Sequence, residues 1–181
     1  MNVKSILLLA VAVLAGPSSL LAAEAVKGFE TQNIVLYQTD DVLHARIPSV
    51  EELGGYMKRL QGVCTTFFAD ADKPETLHVV VVLKPGKRSR VWFVSSTRPS
   101  GDKERESLRR KLEAVTPIDV RQGPVAFAIS AKIAGGDGKS PGTGAGYQPP
   151  IPAEWRDAAK SAKKEAVSIE EFLNLVWPGD Q

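Results

Sequence analysis

The sequence predicts an α+β fold: an antiparallel sheet with helices packed on one face, plus a C-terminal helical tail. Three observations carry that prediction. Residues 77–83 (LHVVVVL) form an unbroken β-rich run, and Val91-Trp92-Phe93-Val94 returns after a Pro85-Gly86 turn, which makes a β-hairpin. Behind Ser49, apolar residues recur at three- and four-residue spacing, the signature of one helical face. Residues 125–132 alternate regularly, as a strand with one buried face does.

At the N-terminus, Lys4 is followed by a ten-residue apolar run, residues 6–15, which Gly16-Pro17 interrupts. Ala23-Glu24-Ala25 then offers small residues at the positions a signal peptidase reads. The run is shorter than the about 20 residues a membrane span needs, so residues 1–25 read as a cleaved signal peptide. A retained anchor is the alternative. Export places the protein in the periplasm or outside the cell, with no stable membrane span after cleavage.

What remains divides into an α+β domain at 26–134, a Gly/Pro-rich linker at 135–152 and a helical tail at 153–181. Residues 34–37 (IVLY) and 42–47 (VLHARI) read as short strands on either side of an Asp40-Asp41 turn. Ser49 to Glu52 has the pattern of a capping box. Leu53, Tyr56, Met57, Leu60, Val63, Cys64 and Phe67 form the apolar face of the helix that follows. Gly54, Gly55 and Gly62 each weaken that helix by about 1 kcal/mol relative to Ala, so its stability must come from burial.

After the hairpin, Ser100 or Asp102 can cap a charged helix whose narrow apolar seam is Leu108, Leu112 and Val115. In the strand after Gly123-Pro124, Val125, Phe127, Ile129 and Ala131 face the core. Ala126, Ala128, Ser130 and Lys132 form a small-residue outer face. The linker holds six Gly and four Pro in eighteen residues. A phosphate-binding loop follows a strand and opens a helix at once, whereas this run passes into Tyr147 and a Pro cluster, so a nucleotide site is not expected. In the tail, a Lys- and Ala-rich helix begins near Trp155. A second capping box at Ser168 starts a helix ending at Trp177-Pro178.

The net charge of +2 is unevenly distributed. Residues 84–111 hold ten basic and three acidic side chains, between two mildly acidic flanks. Such a band is solvated surface or a partner-facing patch. Charges at a hairpin tip also keep sheet edges from aggregating.

The chemistry of catalysis is thinly represented. His44 and His78 sit in predicted strands, and the single cysteine, Cys64, lies on an apolar helical face, away from the electropositive setting a reactive thiol needs. No Cys/His or His/carboxylate group has metal-ligand spacing, so neither cofactor nor metal is expected. The paired glutamates Glu51-Glu52 and Glu170-Glu171 belong to capping boxes.

From Ser49 onward the order is helix, strand, basic turn, strand, helix, strand. Together with Val91-Trp92-Phe93-Val94, the Ser95-Ser96 pair that follows it, Pro117 and Gly123-Pro124-Val125-Ala126-Phe127, this resembles the C-terminal domain of TonB-type energy transducers and the related TolA domain. The likeness covers about 80 residues. It implies a periplasmic binding module whose last strand adds an extended peptide from an envelope partner. Carried onto this chain, that edge is residues 125–132. The long Pro/Lys-rich spacer and the Tyr-Pro pair that often opens the family's domain have no counterpart here, so the energy-coupling role does not follow.

The expected function is therefore non-catalytic recognition of an envelope protein or peptide, or of an anionic surface. Export argues against nucleic acid. The expected contacts are Val125, Phe127 and Ile129 on the strand, and Lys87, Arg88, Arg90 and Trp92 on the hairpin, which supply charge and an aromatic anchor. The alternative is a small periplasmic enzyme or inhibitor whose site is assembled from residues distant in sequence.

Overall fold

The structure is a computed structural model that describes residues 28–97, 102–136, 149–163 and 168–178. The expected signal peptide, residues 137–148 of the linker and the candidate cap Ser100 lie outside these residues. The elements run β1 (Phe29–Leu36), α1 (Asp40–Arg46), α2 (Val50–Phe67), β2 (Glu75–Lys84), β3 (Arg88–Ser95), α3 (Lys103–Glu113), β4 (Val125–Ile133), α4 (Ala153–Ser161) and α5 (Ile169–Val176). The four strands form one antiparallel sheet in the order β1-β4-β2-β3.

The hairpin forms as the sequence predicts, paired from Leu77 opposite Ser95 to Lys84 opposite Arg88. Its three-residue loop, Pro85-Gly86-Lys87, sets Gly86 and Lys87 at φ +82° and +55°, a left-handed conformation that the glycine adopts without steric cost. The α2 stripe is also as expected: Leu53, Tyr56, Leu60 and Cys64 are buried, and Met57, Val63 and Phe67 pack at its margins. Ser49 Oγ accepts from the Glu52 amide at 3.0 Å. Asp102 is the cap of α3, accepting from the Glu104 amide at 2.9 Å.

Residues 42–47 are not a strand; they belong to α1 and the turn after it. Asp40 and Asp41 in its first turn and His44 and Arg46 in its last match the helix dipole, and Leu43 and Ile47 meet the core at a four-residue interval. The apparent alternation was a helical spacing seen over too short a window.

The larger correction concerns β4. It is a central strand, paired with β1 on one flank and with β2 on the other. Val125, Phe127 and Ile129 are fully buried under α2 and α3, so residues 125–132 present no edge. Periodicity reveals which side of a strand is apolar, but not how many strands flank it. The small face of β4 is covered as well. Ala126 and Ala128 join Val80, Val82 and Trp92 in a second apolar layer with Trp155 of α4 and Leu173 of α5. The tail therefore docks on the face of the sheet opposite α2 and α3.

Two polar devices tie the layers together. Arg46 Nη1 donates to the Pro124 carbonyl at 2.7 Å and to Glu170 Oε1 at 2.6 Å, joining α1, the start of β4 and α5. Gly123 passes so close that a Cβ would stand 3.0 Å from Arg46 Cζ. On the other side, Arg105 and Glu75 form a buried ion pair at 2.5 Å, 1% and 3% exposed at their side chains.

Candidate functional site

The basic hairpin meets the chain's own tail. Helix α5 has no basic residue in its last turn, and its terminal carbonyls need donors. β3 and the end of β2 supply them. Arg90 Nη1 donates to the Val176 carbonyl at 3.2 Å, and Lys84 Nζ donates to that of Trp177. The Trp177 ring collects the same cations: Lys84 Nζ at 4.9 Å, Arg90 Cζ at 5.3 Å and Arg88 Cζ at 5.9 Å from its centroid. Positive charge at a helix C-terminus and over an indole face is favourable on both counts.

The expected binding residues are thus dispersed. Lys87 stands exposed at the tip. Arg88 Nε is turned back to the Pro85 carbonyl at 3.1 Å, and Arg90 is engaged with the tail. Trp92 is buried, edge-on to Trp155 with centroids 5.4 Å apart, so it is a core residue and not an exposed anchor. Val125, Phe127 and Ile129 lie inside the sheet. The structure does not bring these seven together as one surface.

The sequence did hold a signal for the tail contact. A strand face of Ala126, Ala128 and Ser130 leaves a shallow depression that only a bulky cover fills, and the tail carries Trp155 and Trp177. Trp155 is fully buried there, against Tyr37, Trp92 and Phe172.

The open surface is at β1. Among the described residues its one strand neighbour is β4, so its far flank is a sheet edge. The exposed large hydrophobic residues of the described structure are Ile34, Leu36 and Val50, at 36%, 41% and 69%. Ile34 and Leu36 are successive same-side positions of β1, because side chains alternate along a strand. Leu36 and Val50 line one cleft of about 340 Å³ with Leu43, Ile47 and Leu53, and with Asp40 and His44 at its polar margin.

Chemically reactive arrangements are few. Ser130 Oγ and His78 Nδ1 are 2.8 Å apart across β4 and β2. Ser130 is fully buried, which keeps substrate from a nucleophile there, and burial pushes the His78 pKa down. Burial likewise pushes the Cys64 thiol up to about 12, leaving it unionised at neutral pH. Among the described residues, no group of His, Cys, Asp and Glu is placed to hold a metal ion, and no helix is long and apolar enough to cross a membrane. No protein-family model, curated protein or solved structure matches the chain.

Proposed function

We propose that the chain is an exported, non-catalytic binding module that takes an extended segment of an envelope protein onto the open edge of β1. One observation carries this reading: the exposed apolar side chains of the described structure gather at the one sheet edge that flanks an apolar cleft. An added strand would use the outward backbone groups of β1 for affinity and place alternate side chains on Ile34, Leu36 and the Val50 cleft for selectivity. The resemblance to TonB-type domains favours the same mode. The flank of β4 that such a domain would offer is filled here by β1, so the available edge lies one strand further out.

The test is a pull-down from envelope extract with the chain from residue 26 onward, beside Ile34→Lys/Leu36→Lys. Edge lysines oppose strand addition, and both positions are exposed enough to accept them. A partner captured by the parent chain and lost by this variant supports the reading. Equal capture, or loss in a Lys87→Glu variant alone, moves the site away from β1.

A further inference from the structure

Between the outer faces of α2 and α3 lies a groove of about 730 Å³, a volume typical of small-ligand sites. Val63, Phe67 and Val115 form its apolar floor, all half-buried, and Arg59 and Lys111 stand at its rim. The two helices run antiparallel across it, since Arg105 packs on Phe68 at one end while Arg59 reaches the Thr116 carbonyl at the other. Arg59 therefore marks the cationic end and Phe67 the apolar end, about 12 Å apart along α2. Lys111 flanks the wall between them.

The charge of this groove is of one sign. Among the described residues, no carboxylate lines it. The neighbouring cleft of about 740 Å³, which shares Arg59 as its boundary, is of mixed charge, because Glu51, Glu52 and Asp119 line it together with Lys87 and Arg121. Arg59 is also held in place: its guanidinium lies 5.7 Å from the Tyr56 ring centroid and bonds Thr116 at 3.3 Å. An oriented guanidinium beside a lysine suits a carboxylate, and the apolar floor suits a hydrocarbon chain. The groove is open where Gly62 faces it, because a Cβ at that position would meet nothing within 4 Å.

We propose that the α2/α3 groove binds a free long-chain carboxylate, with its head at Arg59 and Lys111 and its chain along Val63, Phe67 and Val115. This site is separate from the β1 edge and stands or falls independently of it.

The experiment titrates dodecanoate, below the concentration at which it self-associates, into the chain from residue 26 onward, which retains every described residue. Backbone amide NMR shifts and calorimetry are the readouts. The expected result is saturable binding with shifts centred on Gly62, Val63, Phe67 and Val115. Arg59→Gln/Lys111→Gln weakens it at least tenfold, and dodecanol binds at least tenfold more weakly than dodecanoate. Gly62→Leu fills the groove from a position with clear space and better helix propensity, so it abolishes binding in a chain that still folds. Binding unchanged by Gly62→Leu, equal affinity for dodecanol, shifts centred elsewhere, or an interaction seen solely with anionic vesicles would each overturn the proposal.

Discussion

The guanidinium of Arg90 lies 5.3 Å from the centroid of the Trp177 ring and donates to the Val176 carbonyl at 3.2 Å. A residue of the hairpin thereby closes the last turn of a helix more than eighty positions away in sequence. The basic band has an internal role as well as any external one, and the two are separable by position. Lys87 is at the tip, whereas Lys84 and Arg90 hold the tail.

That division predicts different outcomes for two charge reversals. Arg90→Glu removes a cation–π contact and a helix C-terminal cation, each worth about 0.5–1 kcal/mol, and sets a carboxylate against the α5 carbonyls. The tail should loosen. Trp92, Trp155 and Trp177, the three tryptophans of the chain, all lie at this seam, so emission should shift to the red and quenching by acrylamide should increase. Lys87→Glu should leave both unchanged. Equal spectra for the two variants would mean that the clamp does not hold the tail.

The seam itself rests on apolar packing. Trp155→Ala deletes a fully buried indole in contact with Trp92 and Phe172, and should cost about 3–5 kcal/mol in urea unfolding. A loss below about 1 kcal/mol would show that the sheet stands without its tail.

A buried ion pair makes the third prediction. Arg105 Nη2 meets both carboxylate oxygens of Glu75, and Ser95 Oγ donates to Glu75 Oε1 at 2.6 Å. The guanidinium lies 5.0 Å and 6.0 Å from the Phe68 and Phe93 ring centroids, where its Nε and Nη1 have no hydrogen-bond partner among the described residues. Arg105→Met takes the guanidinium away from a buried carboxylate and should cost about 3–5 kcal/mol. Adding Glu75→Gln should recover most of that loss, because the buried charge that Arg105 offset goes with it. A double variant as unstable as the single would place the cost in packing instead.

These features differ in how far they could be read from the chain. The hairpin and the α2 face were legible because each is local: a turn pair between two β runs, and a stripe whose spacing repeats over four turns. The edge role expected of β4 failed because strand neighbours are set by residues almost a hundred positions apart, and β1 has nothing in its own pattern that names β4. Residues 42–47 misled because six residues fit both periods. Arg105 counted as one more charge on a charged helix, although it faces inward between two phenylalanines. Trp92 beside Arg90 looked like an exposed anchor until Trp155 covered it. The charge band was visible throughout, but its first partner was a helix end.

Cys64 offers a chemical check on the core. Its side chain is fully buried on α2, and burial pushes the thiol up to about 12. Iodoacetamide at pH 8 should label the folded chain at a small fraction of the rate seen in denaturant, with labelling limited by opening. Prompt labelling of the folded protein would mean that α2 does not seal this face.

His78 makes stability depend on pH in a direction fixed by its surroundings. It lies half-buried across β2, hydrogen-bonded to Ser130, and burial alone drives its pKa below the ordinary 6.5. The unfolded chain, where the ring titrates normally, then binds more protons than the folded chain between that value and the lower folded one. Stability must rise with pH across this interval. The contribution is complete above about pH 6.5 and is lost as the pH falls through 6.5 toward the folded value. The thermal midpoint should therefore drop between pH 7.5 and 5.5, above the range where carboxylates titrate. His78→Gln keeps a partner for Ser130 without a titrating ring, so it should flatten the profile over the same interval. A parent chain already flat there, or a variant with the same slope, would mean that His78 is solvated in the folded state.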